Sequence, residues 1–227
     1  MMNKKLNKKI AVFVKEKYGH KEAITYLREH FKKVDIFKGQ NGDTFPRKSY
    51  ENEYDICVSY MSPWIMPEEF LSKIKEFAIN FHPGPPDYRG IGCTNFAIYK
   101  NEKQYGVTAH LMIHSVDAGR IINVRRFPVS VNDTLLSLTN KCYRHILKQF
   151  YKVFDYYLSK NLLPQTRERW DNKLYTRKEL NDLCKVDFNM TKKEIERRIK
   201  STNFPNMPKA WVNIYGYKFE FKDSRYE

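Results

Sequence analysis

The amino-acid sequence predicts an α/β fold, a mostly parallel sheet flanked by helices, and two features carry that prediction. Short apolar runs alternate with helical periodicity through the first half of the chain. Hydrophobic residues make up 41% and aromatic residues 15% of the 227 positions, enough to bury one well-packed domain with a small appendage.

The elements follow in order. Lys9 to Val14 reads as a buried strand, and Lys21 to Lys33 as an amphipathic helix with Ala23, Ile24, Leu27 and Phe31 on one face. Val34 to Phe37 and Asp55 to Tyr60 read as further strands. Pro67, with Glu68 and Glu69 behind it, suits the first turn of a helix reaching Phe77, and Ala78 to Phe81 then forms a short strand. This βαβ rhythm predicts a Rossmann-like sheet. Tyr105 to His114 alternates with period two, and Arg120 to Pro128 makes the next strand. A helix from Asp133 to Lys160, striped by Leu135, Leu138, Cys142, Ile146, Phe150 and Phe154, closes a main domain of residues 1–162. Residues 163–227 form a short C-terminal appendage: a polar connection, a helix near Thr191 to Lys200, and a β-hairpin of Trp211 to Tyr215 and Tyr217 to Phe221 around Gly216.

A net charge of +15 points to an anionic partner, whether nucleic acid, an acidic membrane face or a phosphorylated small substrate. A lysine-rich solvated surface accounts for it equally, since the basic residues form no dense tract. The N-terminus is basic (Lys4, Lys5, Lys8, Lys9), but Lys15 and Lys17 end the apolar run Ile10 to Val14, well short of a signal-peptide core of about 7–15 residues. No apolar stretch approaches the roughly 20 residues a membrane helix needs. Cys57, Cys93, Cys142 and Cys184 are scattered without a CxxC pair, against both a zinc site and a disulfide framework. A cytoplasmic protein without membrane contact or metal is expected.

The richest segment is Asn80-Phe81-His82-Pro83-Gly84-Pro85-Pro86-Asp87-Tyr88-Arg89-Gly90, directly after a predicted strand, where open α/β sheets bind ligands. Asn80 and His82 emerge on one side of an extended chain. The prolines stiffen the loop, and Gly84 leaves room for close approach of a ligand. These groups suit an amine attacking a carbonyl. An amide N–H stabilises the oxyanion by roughly 3–4 kcal/mol, an imidazole takes the proton, and a carboxylate orients the imidazole. Asp117, on the turn Val116-Asp117-Ala118-Gly119-Arg120, is the candidate carboxylate. Taken singly, Asn80 and His82 read as well as loop hydrogen-bonders, and Asp117 as a turn residue.

Asn80-Phe81-His82, Tyr88-Arg89-Gly90 and Asp117-Ala118-Gly119, with Gly106-Val107-Thr108 and Ile121-Ile122, together resemble the signature of the N10-formyltetrahydrofolate-dependent formyltransferases. The resemblance covers Ile79 to Pro128 and implies that Asn80, His82 and Asp117 are the catalytic trio. It also implies N10-formyltetrahydrofolate as co-substrate, its pterin held by Trp64, Ile65 and Met66 on one wall and by Ile113 and Val116 on the other. Core packing is the alternative for Trp64 to Met66.

The family offers several acceptors. The segment Ile199 to Pro208 and the aromatic hairpin resemble the appendage of nucleotide-sugar N-formyltransferases, in which such a hairpin contributes to a dimer interface. The expected reaction is therefore formylation of the 4-amino group of a nucleoside-diphosphate-linked 4-amino-4,6-dideoxy sugar (dTDP- or GDP-linked) by a homodimer serving lipopolysaccharide O-antigen biosynthesis. Gly84, Tyr88, Arg89 and Asn95 are the candidate acceptor contacts, although Arg89 also fits a brace for the loop. Methionyl-tRNA is the alternative acceptor, disfavoured by the roughly 65 residues that follow Leu163. A non-enzymatic alternative is a basic RNA-binding protein. His110 and His114, about 13 Å apart on a strand at 3.3 Å per residue, are too distant to share a metal. No GxGxxG follows the first strand, against a dinucleotide-dependent oxidoreductase.

Overall fold

The computed structural model describes residues 5–222; Lys4 of the basic N-terminal run lies outside them. In chain order the elements are β1 (Leu6–Val14), α1 (His20–His30), β2 (Phe31–Lys38), β3 (Tyr54–Tyr60), α2 (Glu68–Leu71), β4 (Ile74–His82) and the two-residue β5 (Arg89–Gly90). There follow α3 (Cys93–Lys100), β6 (Gln104–Leu111), β7 (Ile121–Pro128), α4 (Leu135–Lys160), β8 (Leu174–Tyr175), α5 (Arg177–Cys184), α6 (Lys192–Thr202), β9 (Trp211–Ile214) and β10 (Tyr217–Glu220).

Six strands form the central sheet in the order β2-β1-β3-β4-β6-β7. The first four are parallel, while β6 and β7 join antiparallel. The strand order reverses at β1, so a crevice opens at the carboxyl ends of the parallel strands. Three segments meet there: Lys15 to Lys17 after β1, Met61 to Met66 after β3, and the proline-rich loop after β4.

Alternation along the strands builds two apolar layers. Ile10, Val12, Val14, Ile56, Val58, Ile79 and Phe81 pack beneath α1 and α4, with Leu138, Cys142, Ile146, Phe150 and Phe154 of α4 fully buried. The opposite face carries Ala11, Phe13 and Cys57 and is covered by aromatic rings: Phe37, Phe45 and Phe70 lie 4.8, 5.3 and 5.3 Å from Phe13.

Several expected boundaries move. The helix expected from Pro67 to Phe77 lasts only through Leu71. Tyr54 pairs with Ile74, Ile56 with Phe77, and Lys75 with the Glu53 carboxylate, so β4 begins four residues before Ala78 and takes over the helix's second half. The expected helix Lys21–Lys33 stops at His30 because Phe31 already enters the ladder beside Leu6. The strand expected to reach His114 ends at Leu111, so His114 is off the strand.

Helix α3 escapes a periodicity search because Cys93, Phe96, Ala97 and Ile98 are buried around most of its circumference, leaving no stripe. In the appendage, α5 opens on a full capping box between Thr176 and Glu179. The expected helix and hairpin are α6 and β9–β10. The end of α4 marks a change in the chain's course rather than a separate core: Tyr175, Leu180 and Leu183 join the main cluster, and the Asn95 amide donates to the Ser201 carbonyl at 2.8 Å.

Candidate active site

The last residues of β4 set the site. Asn80 lies opposite His110 in the antiparallel pairing with β6, and His82 opposite Thr108. Beyond His82 the chain is tied down by Thr108, whose hydroxyl donates to the Gly84 carbonyl at 2.7 Å, and by the Tyr88 N–H, which donates to Pro85 at 2.9 Å. The loop folds back so that His82 Nε2 meets the Tyr88 carbonyl at 2.7 Å. A Cβ on Gly84 would stand 2.6 Å from that nitrogen and 2.7 Å from that oxygen. The room at Gly84 is thus filled by the protein's own hydrogen bond.

Asp117 arrives from the turn between β6 and β7. Its backbone is left-handed, with φ of 46°, and the turn closes so tightly that a Cβ on Gly119 would lie 1.9 Å from the Leu111 carbonyl oxygen. The carboxylate meets three groups. Oδ2 faces His82 Nδ1 at 3.3 Å and accepts from the Gly90 N–H at 3.0 Å, while Oδ1 faces His110 Nε2 at 3.3 Å. Asn80 Nδ2 lies 3.1 Å from the same His110 nitrogen. His82, His110 and Asp117 are all buried. Trp170, from the connection after α4, sets its ring edge-on to both imidazoles and donates to the Gly119 carbonyl at 2.7 Å.

Burial by itself would push the Asp117 carboxyl up. The contacts with His82, His110 and the Gly90 N–H outweigh it, so the group is held well below the ordinary carboxylate range and stays ionised. His82 has an acceptor at each nitrogen, the Asp117 carboxylate at Nδ1 and the Tyr88 carbonyl at Nε2.

Two cavities flank this centre. The first, about 200 Å³, is lined by Trp64, Ile65, Met66, Ile113 and Val116 together with Asn80, His110 and Asp117. All five residues expected to hold the pterin therefore surround one space beside the trio. Trp64 also packs edge-on to Phe13, so its core role and its lining role coexist. The second cavity, about 280 Å³, borders Pro83, Gly90 and Cys93 and reaches across to the appendage. His82 lines neither, but it touches a lining residue of each: Nδ1 lies 3.3 Å from Asp117 Oδ2 and Nε2 3.8 Å from the Cys93 sulfur.

The expected acceptor contacts disperse. Asn95 lines the second cavity. Gly84 is buried against His82. Tyr88 is buried too, donating its hydroxyl to Glu102 at 2.7 Å and stacking on Tyr175; only its backbone carbonyl serves the site. Arg89 is a brace: Nε donates to the Asp117 carbonyl at 2.7 Å and Nη1 to that of Asp171 at 3.0 Å. Sequence reasoning missed His110 as a site residue, having weighed it only as a metal ligand, although its facing of Asn80 follows once β4 and β6 are paired. Nothing in the local sequence signals Trp170, which reaches the centre from the appendage, or Arg177, which lines the second cavity.

Comparison with known proteins follows the same residues. The formyl transferase family model matches residues 2–153. The chain is 26% identical over 172 residues to a methionyl-tRNA formyltransferase of Sulfurihydrogenibium, covering 75% of this chain and 54% of that protein. It is 25% identical over 177 residues to the GDP-perosamine N-formyltransferase of Brucella melitensis, covering 78% and 67%. It thus spans about half the length of the first relative and two thirds of the second. In fold it resembles a 4-N formyltransferase from Francisella tularensis, with a TM-score of 0.77 at 18% identity over 95% of this chain and 98% of that one.

A carboxyl group depressed in the folded state adds stability above its unfolded pKa of about 3.9 and loses it as the pH falls toward the folded value. Asp117→Asn is expected to lower Tm by a constant amount above about pH 5, the gap to wild type closing as the pH drops below about 4. Thermal melts across that range check this; a gap that widens on acidification contradicts it.

Proposed function

This chain belongs to the formyl transferase family, and from that premise we propose that it moves a formyl group from N10-formyltetrahydrofolate to the 4-amino group of a nucleoside-diphosphate-linked 4-amino-4,6-dideoxy sugar. The observation that carries the proposal is the pair of cavities beside one imidazole, the first reaching Asp117 and the second Cys93, both of which His82 contacts. The first suits a pterin ring lying between Trp64 to Met66 and Ile113 to Val116, with Asn80 beside the formyl oxygen. The other is ringed by Lys15, Lys17 and Arg177, with Asn95, Asn181 and Tyr143 between them, and no carboxylate lines it. None of the three cations has an ion-pair partner among the described residues. Desolvation and the neighbouring Lys17 push the Lys15 ammonium down, the signature of positive charge gathered without a counter-ion. A diphosphate supplies that counter-ion.

In this reading the sugar amine attacks the formyl carbon, forming the new C–N bond, and the bond to folate N10 breaks. An N–H of Asn80 donates to the oxyanion. His82, released from the Tyr88 carbonyl, takes the amine proton and returns it to N10; Asp117 steadies the charged ring between the two transfers. GDP-perosamine, named for the Brucella relative, is an acceptor of this class, and methionyl-tRNA, named for the other, is the competing one. We place the reaction in the cytoplasm, consistent with four buried, unpaired cysteines; among the described residues no helix is long and apolar enough to cross a membrane. The catalytic domain of residues 1–162 and the appendage of 163–227 are read as one working unit, since the basic cavity draws residues from both.

The hairpin presents Val212, Ile214, Tyr217 and Phe219 on one face, with Tyr217 72% and Phe219 54% exposed. A second copy of the chain is the proposed cover for this face.

Three outcomes are expected. Incubated with formyltetrahydrofolate and a panel of GDP- and dTDP-aminosugars beside methionyl-tRNA, the protein adds one formyl unit to an aminosugar by mass spectrometry, and Asn80→Ala or Asp117→Ala each lowers kcat by about a hundredfold or more; formylation of the tRNA alone would replace the acceptor. Lys15→Ala and Arg177→Ala each raise KM for the nucleotide sugar about tenfold, the worth of one charge-assisted contact of roughly 1.5 kcal/mol, while KM for folate stays put. Tyr217→Asp combined with Phe219→Asp yields monomers by light scattering; an unchanged mass removes the hairpin from the interface.

A further inference from the structure

His110 has no part in the reaction as set out above, yet it is among the most enclosed titratable groups in the molecule, at 2% exposure, and it touches both Asn80 and Asp117. Its Nδ1 lies 2.8 Å from the carbonyl oxygen of Leu111. A carbonyl only accepts, so Nδ1 carries a proton, and in the neutral ring Nε2 is bare. That bare nitrogen points at Asn80, whose Nδ2 sits 3.1 Å away. One N–H of the Asn80 amide is thereby committed to His110, and the second N–H is left toward the cavity that Asn80 and His110 both line.

We propose that His110 is a positioning residue for Asn80: its unprotonated Nε2 selects the amide orientation that presents an N–H, rather than the carbonyl oxygen, to the transferred formyl group. The same geometry builds in an off state. A proton on Nε2 turns that atom into a donor, which Asp117 Oδ1 at 3.3 Å is placed to accept. The Asn80 N–H then faces another N–H, and the amide turns over to offer its oxygen, carrying its donors away from the oxyanion. The charged and titratable groups facing His110 are few. The Asp117 carboxylate faces it directly, His82 lies on the far side of that carboxylate, and the Arg89 guanidinium rests on the Asp117 backbone carbonyl. Trp170 covers the ring without charge, its centroid 5.0 Å away. Acid therefore stops the reaction twice, at the proton acceptor His82 and at the holder of its oxyanion donor.

The proposal rests on the formyl-transfer reading for its consequences in turnover, but the tautomer can be tested without any acceptor. In the full chain labelled with ¹⁵N, the His110 ring should give the shifts of an Nδ1–H, bare-Nε2 imidazole at pH 8; an Nε2–H tautomer overturns the idea whatever the protein formylates. With an acceptor in hand, the acid limb of log kcat against pH should fall with a limiting slope near two in the wild type. His110→Gln, whose amide oxygen accepts from Asn80 without titrating, should keep most of the activity at pH 8 and reduce that slope to one. His110→Phe, with no acceptor, should lower kcat by about 10- to 100-fold and leave KM for folate nearly unchanged. Wild-type kcat and an unchanged acid limb in both variants would refute the role. Absence of any aminosugar product from the wild type, with the expected tautomer present, would sink the acceptor assignment instead.

Discussion

A single buried carboxylate organises this protein's functional end. Asp117 holds His82 from β4, the Gly90 backbone from β5 and His110 from β6, tying the segment after β4 to two paired strands. An ionised group at 6% exposure survives only where such donors outweigh the cost of removing it from water. The surrounding backbone serves that need. The left-handed turn at Asp117, the absence of a Cβ on Gly119 and the Arg89 brace on the Asp117 carbonyl all fix where the carboxylate lands.

The sheet makes this arrangement available. Four parallel strands leave their carboxyl ends on one edge, and the antiparallel entry of β6 brings a strand running the other way beside β4. Strand β6 ends at Leu111, and the turn before β7 brings Asp117 back beside His110. The reversal also divides the edge into two compartments, one closed by Trp64 to Met66 and one opening toward the appendage. The appendage then supplies Trp170 over the imidazoles and Arg177 beside the basic cavity, so its contribution is felt at the centre as well as at the surface.

Much of the site was legible in the chain. Asn80 and His82, two apart after an apolar strand, and Asp117 in a glycine turn are a pattern whose chemistry can be argued from residue type alone. The residues lining the first cavity were named because the resemblance located both walls. His110 was not legible in the same way. Period-two alternation told which face of its strand it occupies, but only the register of β4 against β6 sets it opposite Asn80. Gly84 illustrates a further limit: the sequence told that something approaches closely there, and the approaching groups are His82 and the Tyr88 carbonyl of the same loop.

By itself the sequence determined the α/β class, the order of the principal strands and helices and the excess of positive charge, because each depends on residue type and local period; Asn80, His82 and Asp117 were picked out by the family resemblance. The sequence misjudged where a helix yields to a strand between Leu71 and Ala78, since that boundary is decided by ladder bonds to Tyr54 and Ile56 in another strand. Only the tertiary structure decided that two imidazoles share one carboxylate and that lysines after β1 meet an arginine more than 150 residues away around one cavity without carboxylates. Contacts between distant segments are set by strand register and helix packing, and neither is written in any local stretch of chain.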